Sequence, residues 1–174
     1  MRKLLHIILL VLFLLSCATR EIDFEQLEGR DGVYYAVDDD RPYSGKVTGL
    51  TNIGFWGKID LKKSEATLFN GQLDGLFRIW YENGQLISED TYVRGKQEGL
   101  SRFWHENGQL ASEVTYVDGK MEGPGREWYE NGQLSTEVTF VNDRREGLSR
   151  EWYEDGQILS ERNYVEGKCV SGCK

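Results

Sequence analysis

Few side chains in this sequence have types and spacing suited to chemistry. Cys169 and Cys173 stand four positions apart near the C-terminal end. In an oxidising compartment a disulfide closing that short loop is the first reading, free thiols the second and a metal site the third. His105 is the one histidine beyond His6. It occupies the slot that Tyr81, Tyr129 and Tyr153 fill elsewhere, so it reads as an aromatic substitute rather than a base. Asp38-Asp39-Asp40 invites a calcium loop, but lacks the alternating spacing and closing glutamate of one, which favours a solvated turn. Glu82, Glu106, Glu130 and Glu154 recur in step and read as turn residues. No serine sits in a nucleophile elbow, no Gly-rich phosphate loop opens a helix, and no Cys/His cluster has metal spacing. The expectation is a protein with no catalytic residues, no metal and no cofactor.

The third cysteine belongs to a leader. Arg2-Lys3 precedes the apolar run Leu4–Leu15, which is broken only by His6. Twelve residues are short for a membrane span and suited to a secretory signal core. The run closes in Leu14-Leu15-Ser16-Cys17, which resembles the bacterial lipoprotein box, with Cys17 as lipidated residue and new N-terminus. An ordinary signal peptide ending beside a cysteine is the alternative. Residues 1–16 are read as signal and 17–31 as lipidated cysteine and tether. The lipid would hold the chain to the cell envelope, and Ala18 points to the outer membrane where a cell has one. Without Arg2 and Lys3, 19 Lys+Arg face 29 Asp+Glu, a formal −10. Such a surface repels nucleic acid and anionic lipid, which excludes both as electrostatic partners.

What positions everything else is a 24-residue repeat. Leu100–Gly123 (LSRFWHENGQLASEVTYVDGKMEG) returns from Leu76, Pro124 and Leu148, with a worn copy over Asn52–Gly75. Trp56, Trp80, Trp104, Trp128 and Trp152 share one slot; Glu65, Glu89, Glu113, Glu137 and Glu161 share another. Each intact copy has two strand-like runs, such as Leu100–His105 and Leu110–Val117, around Glu106-Asn107-Gly108-Gln109. Asn-Gly signals a two-residue type I′ hairpin turn. Gly95-Lys96…Gly99 and its counterparts read as a looser turn into the next copy. A two-residue turn at Asn107-Gly108 pairs position i with 215 − i, which puts Arg102 opposite Glu113. The same construction gives Arg78–Glu89, Arg126–Glu137 and Arg150–Glu161, cross-strand pairs that set register more than they stabilise. It also places Trp80 with Leu76, Ile87 and the Arg–Glu pair on one face, and Phe77, Tyr81, Leu86 and Tyr92 on the other.

Ahead of the array, residues 32–51 read as a β cap with strands over Gly32–Val37 and Pro42–Val47. Five repeats follow over 52–171, then a tail at 172–174. The expected fold is all-β, an elongated curved antiparallel sheet of tandem hairpins in one domain.

Gly95-Lys96-Gln97-Glu98-Gly99, followed by Arg102-Phe103-Trp104 and Glu106-Asn107-Gly108-Gln109, resembles the MORN repeat. The opening Val33-Tyr34-Tyr35…Pro42-Tyr43-Ser44-Gly45-Lys46 makes it more similar to the bacterial MORN-repeat variants. The period of 24, Ser101, and Asp143 in the place of Gly119 depart from the usual pattern. The resemblance implies a stacked-hairpin sheet and a binding or scaffolding role. Some such variants are labelled antitoxins, a cytoplasmic role that ranks last here because of the export signal. A protein partner is the first expectation. Trp80, Trp104, Trp128 and Trp152 form a regular stripe, read first as core and second as a stacking platform for a cell-wall or surface glycan.

Overall fold

The computed structural model describes residues 20–51 and 62–173. Cys17, the leader, Trp56 and Asn52–Leu61 lie outside them. Fifteen strands are described: β1 Glu21–Asp23, β2 Leu27–Arg30, β3 Val33–Ala36, β4 Gly45–Thr51, β5 Lys62–Phe69, β6 Gln72–Trp80, β7 Leu86–Val93, β8 Lys96–Gln97, β9 Gly99–Trp104, β10 Leu110–Val117, β11 Lys120–Trp128, β12 Leu134–Val141, β13 Arg144–Trp152, β14 Ile158–Val165 and β15 Lys168–Ser171. One sheet runs β1-β4-β5-β6-β7-β9-β10-β11-β12-β13-β14-β15, with β8 on β7; β2 and β3 form a separate pair. Apart from β1 on β4, which is parallel, neighbours are antiparallel and follow chain order. The result is one long curved sheet of tandem hairpins.

The N-terminal end differs from the sequence reading in three places. The segment read as a tether carries β1, a 3-10 turn at Phe24–Gln26 capped by Asp23, and β2. The strand expected from Pro42 starts at Gly45, and Pro42 makes only an isolated bridge to Tyr35. The partner of β5 is β4, so the cap supplies the strand that the worn copy was expected to provide. Ala36, Tyr43, Val47 and Leu68 are buried here, with Ile22, Phe24 and Leu27 packed around them. The Tyr43 hydroxyl donates to the Arg20 carbonyl at 2.7 Å, which ties the chain entering β1 into this core. An aromatic residue can bury its ring only if its polar end finds such a partner.

The two kinds of turn are exchanged relative to expectation. At the Asn-Gly loops, Gly108 N–H donates to His105 O at 2.8 Å and His105 N–H to Gln109 O at 2.9 Å. Gly108 has φ +83°, whereas Asn107 is not in the left-handed region. This is a type I turn closed by a glycine bulge, the usual three-residue hairpin. The Asn is selected for its side chain: Asn107 Oδ1 accepts from Gln109 N–H at 2.9 Å, an Asx turn. The tight turns are instead those between repeats. Arg94-Gly95 has φ +51° and +78° with Val93 paired to Lys96, the signature of type I′. Asp118-Gly119, Asn142-Asp143 and Glu166-Gly167 repeat it.

The Arg–Glu registers nevertheless hold in all four hairpins. The three-residue loop starts the ladder one position off, at Trp104–Leu110, and a bulge before Ser112 restores it. At the junctions between hairpins the register moves again, for example between Glu113 and Thr115. Bulges bend strands and raise their twist, so each junction adds curvature.

Alternation along the strands then divides the sheet into two faces. The closed face carries small or polar buried residues, Ser64, Ala66, Ser88, Asp90, Ser101 and Ser149, with Phe77 and Val138. The open face carries the tryptophans, the Arg–Glu pairs and the leucines.

Candidate functional site

The open face is built as parallel rows crossing the strands. In the central row Glu65 faces Arg78, Arg78 faces Glu89, Glu89 faces Arg102, and so on through Glu113, Arg126, Glu137 and Arg150 to Glu161. Sequence reasoning reached the pairs within hairpins; the pairs across junctions join them into one alternating row of nine. Arg78 Nε donates to Glu89 at 2.7 Å, Arg126 Nε to Glu137 at 3.0 Å and Arg150 Nε to Glu161 at 2.9 Å. Arg102 is looser, 3.8 Å from Glu113, and Arg126 reaches back to the same Glu113 at 3.6 Å. All are partly exposed, so water screens each pair and its worth is at most about 1 kcal/mol.

On one side of this row lie the tryptophans. Each ends a first strand of a hairpin, so it stands next to the Asn-Gly loop. Trp80, Trp104, Trp128 and Trp152 are half-buried, and Lys63 Nζ sits 5.6 Å from the Trp80 ring centre. This departs from both sequence readings: the rings are neither core nor a bare platform. The reason is that, among the described residues, the sheet offers these rings neighbours within it and no layer above it. Their carbonyls have a second role. Tyr81 OH donates to Trp104 O at 3.0 Å, His105 Nε2 bonds Trp128 O at 2.8 Å, and Tyr129 OH donates to Trp152 O at 2.7 Å. His105 must carry its proton on Nε2 to make this bond, since a carbonyl only accepts. It therefore substitutes for tyrosine in a structural link between repeats.

On the other side of the row, Leu76 pairs with Thr91, Leu100 with Thr115 and Leu148 with Asn163; Val93, Val117, Val141 and Val165 lie beyond. These leucines and valines are 36 % to 49 % exposed. Scattered exposed aliphatics need no explanation, but rows of them on one face mark an interaction surface.

Three further constellations were missed or left open by the sequence. Asn83, Asn107 and Asn131 donate from Nδ2 to the carbonyls of Glu106, Glu130 and Glu154 in the next repeat, the tightest at 2.7 Å. Asp74, Glu98, Glu122 and Glu146 each accept from a backbone N–H of the following type I′ turn, at 2.8 Å for Asp118. Their spacing of 24 was a readable signal. Asp90 breaks the repeat where Val114 and Val138 stand. Its Oδ1 accepts from Gln97 at 2.6 Å and from Ser101 at 2.5 Å. Burial raises its pKa against the lowering effect of those two bonds, and Tyr92 beside it is pushed up to about 12 by burial and then by Asp90.

At the other candidates, the Asp39 carboxylate is taken by Arg41, through its side chain and its backbone N–H. Among the described residues no group of His, Cys, Asp and Glu could hold a metal ion. Cys169 and Cys173 are bonded to each other, with Cα atoms 5.9 Å apart. That loop folds against β14, where Gly172 approaches the Glu161 carbonyl too closely for any side chain.

These hairpins coincide with a known repeat. The family model for the MORN repeat variant matches residues 73–94, 97–118, 121–142 and 145–166, together half of the chain. The chain is a MORN-repeat protein. Each matched stretch takes in one hairpin and ends at the first residue of its type I′ turn, while residues 52–72 of the worn copy lie outside the match. No match was found among curated proteins. Solved structures resembling the MORN array include a substituted TarM of S. aureus crystallised with Fondaparinux, alpha-GlcNAc-glycerol and UDP, at 12% identity and TM-score 0.35 over 55% of this chain. A second TarM structure gives 13% identity and TM-score 0.35 over 57%. The MORN chain spans about a fifth of the length of those chains.

Proposed function

We propose that the MORN array is a non-enzymatic protein-binding module, tethered to the cell envelope through a lipid on Cys17 and offering its open face to a protein partner. The observation that carries the binding role is the two exposed aliphatic rows, leucines and then valines, lying along one side of the ordered Arg/Glu row. Apolar area removed from water contributes roughly 25 cal/mol per Å², and the charged row orients whatever lands there. The polar exceptions to the repeat, Asp90 and His105, are engaged in structural hydrogen bonds, which supports a role without catalysis. The anchor rests on the leader and on Ser16-Cys17.

Affinity capture from solubilised membranes tests the binding role. The wild-type chain recovers a partner in stoichiometric amount, and Leu100→Glu with Leu148→Glu abolishes recovery while the melting temperature holds. Recovery that ignores both substitutions rules out the open face. The anchor is tested separately: Cys17→Ser abolishes incorporation of labelled palmitate and releases the chain from membranes.

The regular spacing of the tryptophans, two strand separations or about 9–10 Å, favours a glycan platform as a second reading. Their half-burial and the lysine over Trp80 weigh against it. Polysaccharide pelleting abolished by Trp104→Ala and Trp128→Ala at unchanged stability would decide for the glycan.

A further inference from the structure

We infer that the partner of the open face is a second copy of this chain, packed face to face about a two-fold axis running along the strands between β9 and β10. This rests on the reading of the open face as a protein-binding surface and names its occupant.

Along the central row, arginine and glutamate alternate strand by strand from Glu65 to Glu161. A two-fold axis in the interface, parallel to the strands and midway between two of them, maps each odd place onto an even one. Every arginine then meets a glutamate of the other copy: Arg102 meets Glu113, Arg126 meets Glu89, and Arg78 meets Glu137. Such a contact is isologous, so each pair occurs twice. The flanking rows obey the same parity. On the leucine side Leu100 meets Thr115, a large side chain against a small one; on the tryptophan side Trp104 meets Leu110, apolar against apolar. Interdigitation of that kind is how two sheets pack at about 10 Å.

The gap between β9 and β10 suits the axis for two reasons. It lies near the middle of the row, so nearly all of its strands overlap. Arg102 is also the arginine whose contact within the chain is longest, 3.8 Å against 2.7 to 3.0 Å for the other three. Its donors are the ones least committed at home. The area is adequate. The row spans about 40 Å across the strands and the flanking rows about 20 Å along them, on the order of 800 Å², what each side of a standard interface buries. The chain carries a net charge of −8, which opposes association, but the charged row is close to neutral and meets itself with opposite signs.

Sedimentation of the full chain in detergent tests the inference, using charge exchanges that keep the pair within the chain. Arg126→Glu with Glu137→Arg preserves that pair, at the expense of like charges beside Glu113 and Arg150 in the same chain. Across the interface it sets the new carboxylate against Glu89 and the new guanidinium against Arg78. The wild-type chain is expected to be a dimer whose dissociation constant rises with salt, and this exchange to weaken it about tenfold or more. Adding Arg78→Glu with Glu89→Arg restores opposite signs, and the dimer is expected to return to within about threefold of wild type. Both proteins keep the wild-type circular dichroism spectrum and retain the apolar leader, and the second exchange relieves neither junction contact, so its restoring effect reads the face alone. A monomer at about 100 μM, a dimer indifferent to the first exchange, or a weakened dimer that the second fails to restore each overturns the pairing. A monomer that still captures a different protein, lost on Leu100→Glu, would leave the binding face standing and remove the second copy from it.

Discussion

The exchange of turn types can be tested by two substitutions with opposite signs. Arg94 is held at φ +51° in a type I′ turn, where a residue with a Cβ is strained by roughly 1–2 kcal/mol and asparagine less so. Its N–H bond to Asp74 is made by the backbone and survives substitution. Arg94→Asn is therefore expected to stabilise by about 0.5–1 kcal/mol. Asn107 lies outside the left-handed region and holds two bonds, at 2.9 Å from Gln109 N–H and 2.7 Å to Glu130 O. Asn107→Gly forfeits both, at about 0.5–1.5 kcal/mol each, and adds about 0.5–1 kcal/mol of unfolded-state freedom. Because the site is exposed and water replaces part of each bond, the expected loss is about 2 kcal/mol. Urea titration of the full chain, followed by tryptophan fluorescence, reads both changes as opposite shifts of the midpoint. A neutral Asn107→Gly together with a destabilising Arg94→Asn would mean that the tight turn is at Asn107-Gly108 after all, and the reasoning about both loops would fail.

Asp90 should make stability pH-dependent. Its pKa is raised in the folded chain, so the fold binds the proton more tightly than the unfolded chain does, and stability falls as pH rises from the ordinary carboxylate range through the raised value. Asp90→Asn keeps an Oδ1 acceptor for Gln97 and Ser101 and should flatten that fall in melting temperature; an unchanged profile would remove Asp90 as its source. Tyr129→Phe deletes the 2.7 Å bond to Trp152 O and should cost about 1 kcal/mol. His105→Tyr should be neutral or stabilising, and a loss as large as that of Tyr129→Phe would show that the histidine does more than replace a tyrosine. Cys173→Ser opens a loop of only a few residues, so the expected cost lies at or below about 2 kcal/mol by urea titration under oxidising conditions. A loss above about 4 kcal/mol would show that the loop against β14 holds far more than its own ends.

The sequence by itself determined the repeat, the strands and the Arg–Glu pairs within each hairpin. All three depend on short-range order, namely a period of 24, alternation along a strand, and a loop of given length. The Arg102–Glu113 pairing follows from either turn, because the bulge before Ser112 cancels the extra loop residue. An Asn-Gly dipeptide is compatible with either loop; the Asn107 side-chain bonds, one to Gln109 N–H and one to Glu130 O in the next repeat, hold the longer one. The tertiary structure alone decided the junction registers, and with them the continuous row from Glu65 to Glu161. A junction bulge is set by how two hairpins coil together, which no single repeat encodes. The same holds for the tryptophans. Their type suits core first and platform second, and their half-burial follows from having neighbours within the sheet and, among the described residues, no layer above it.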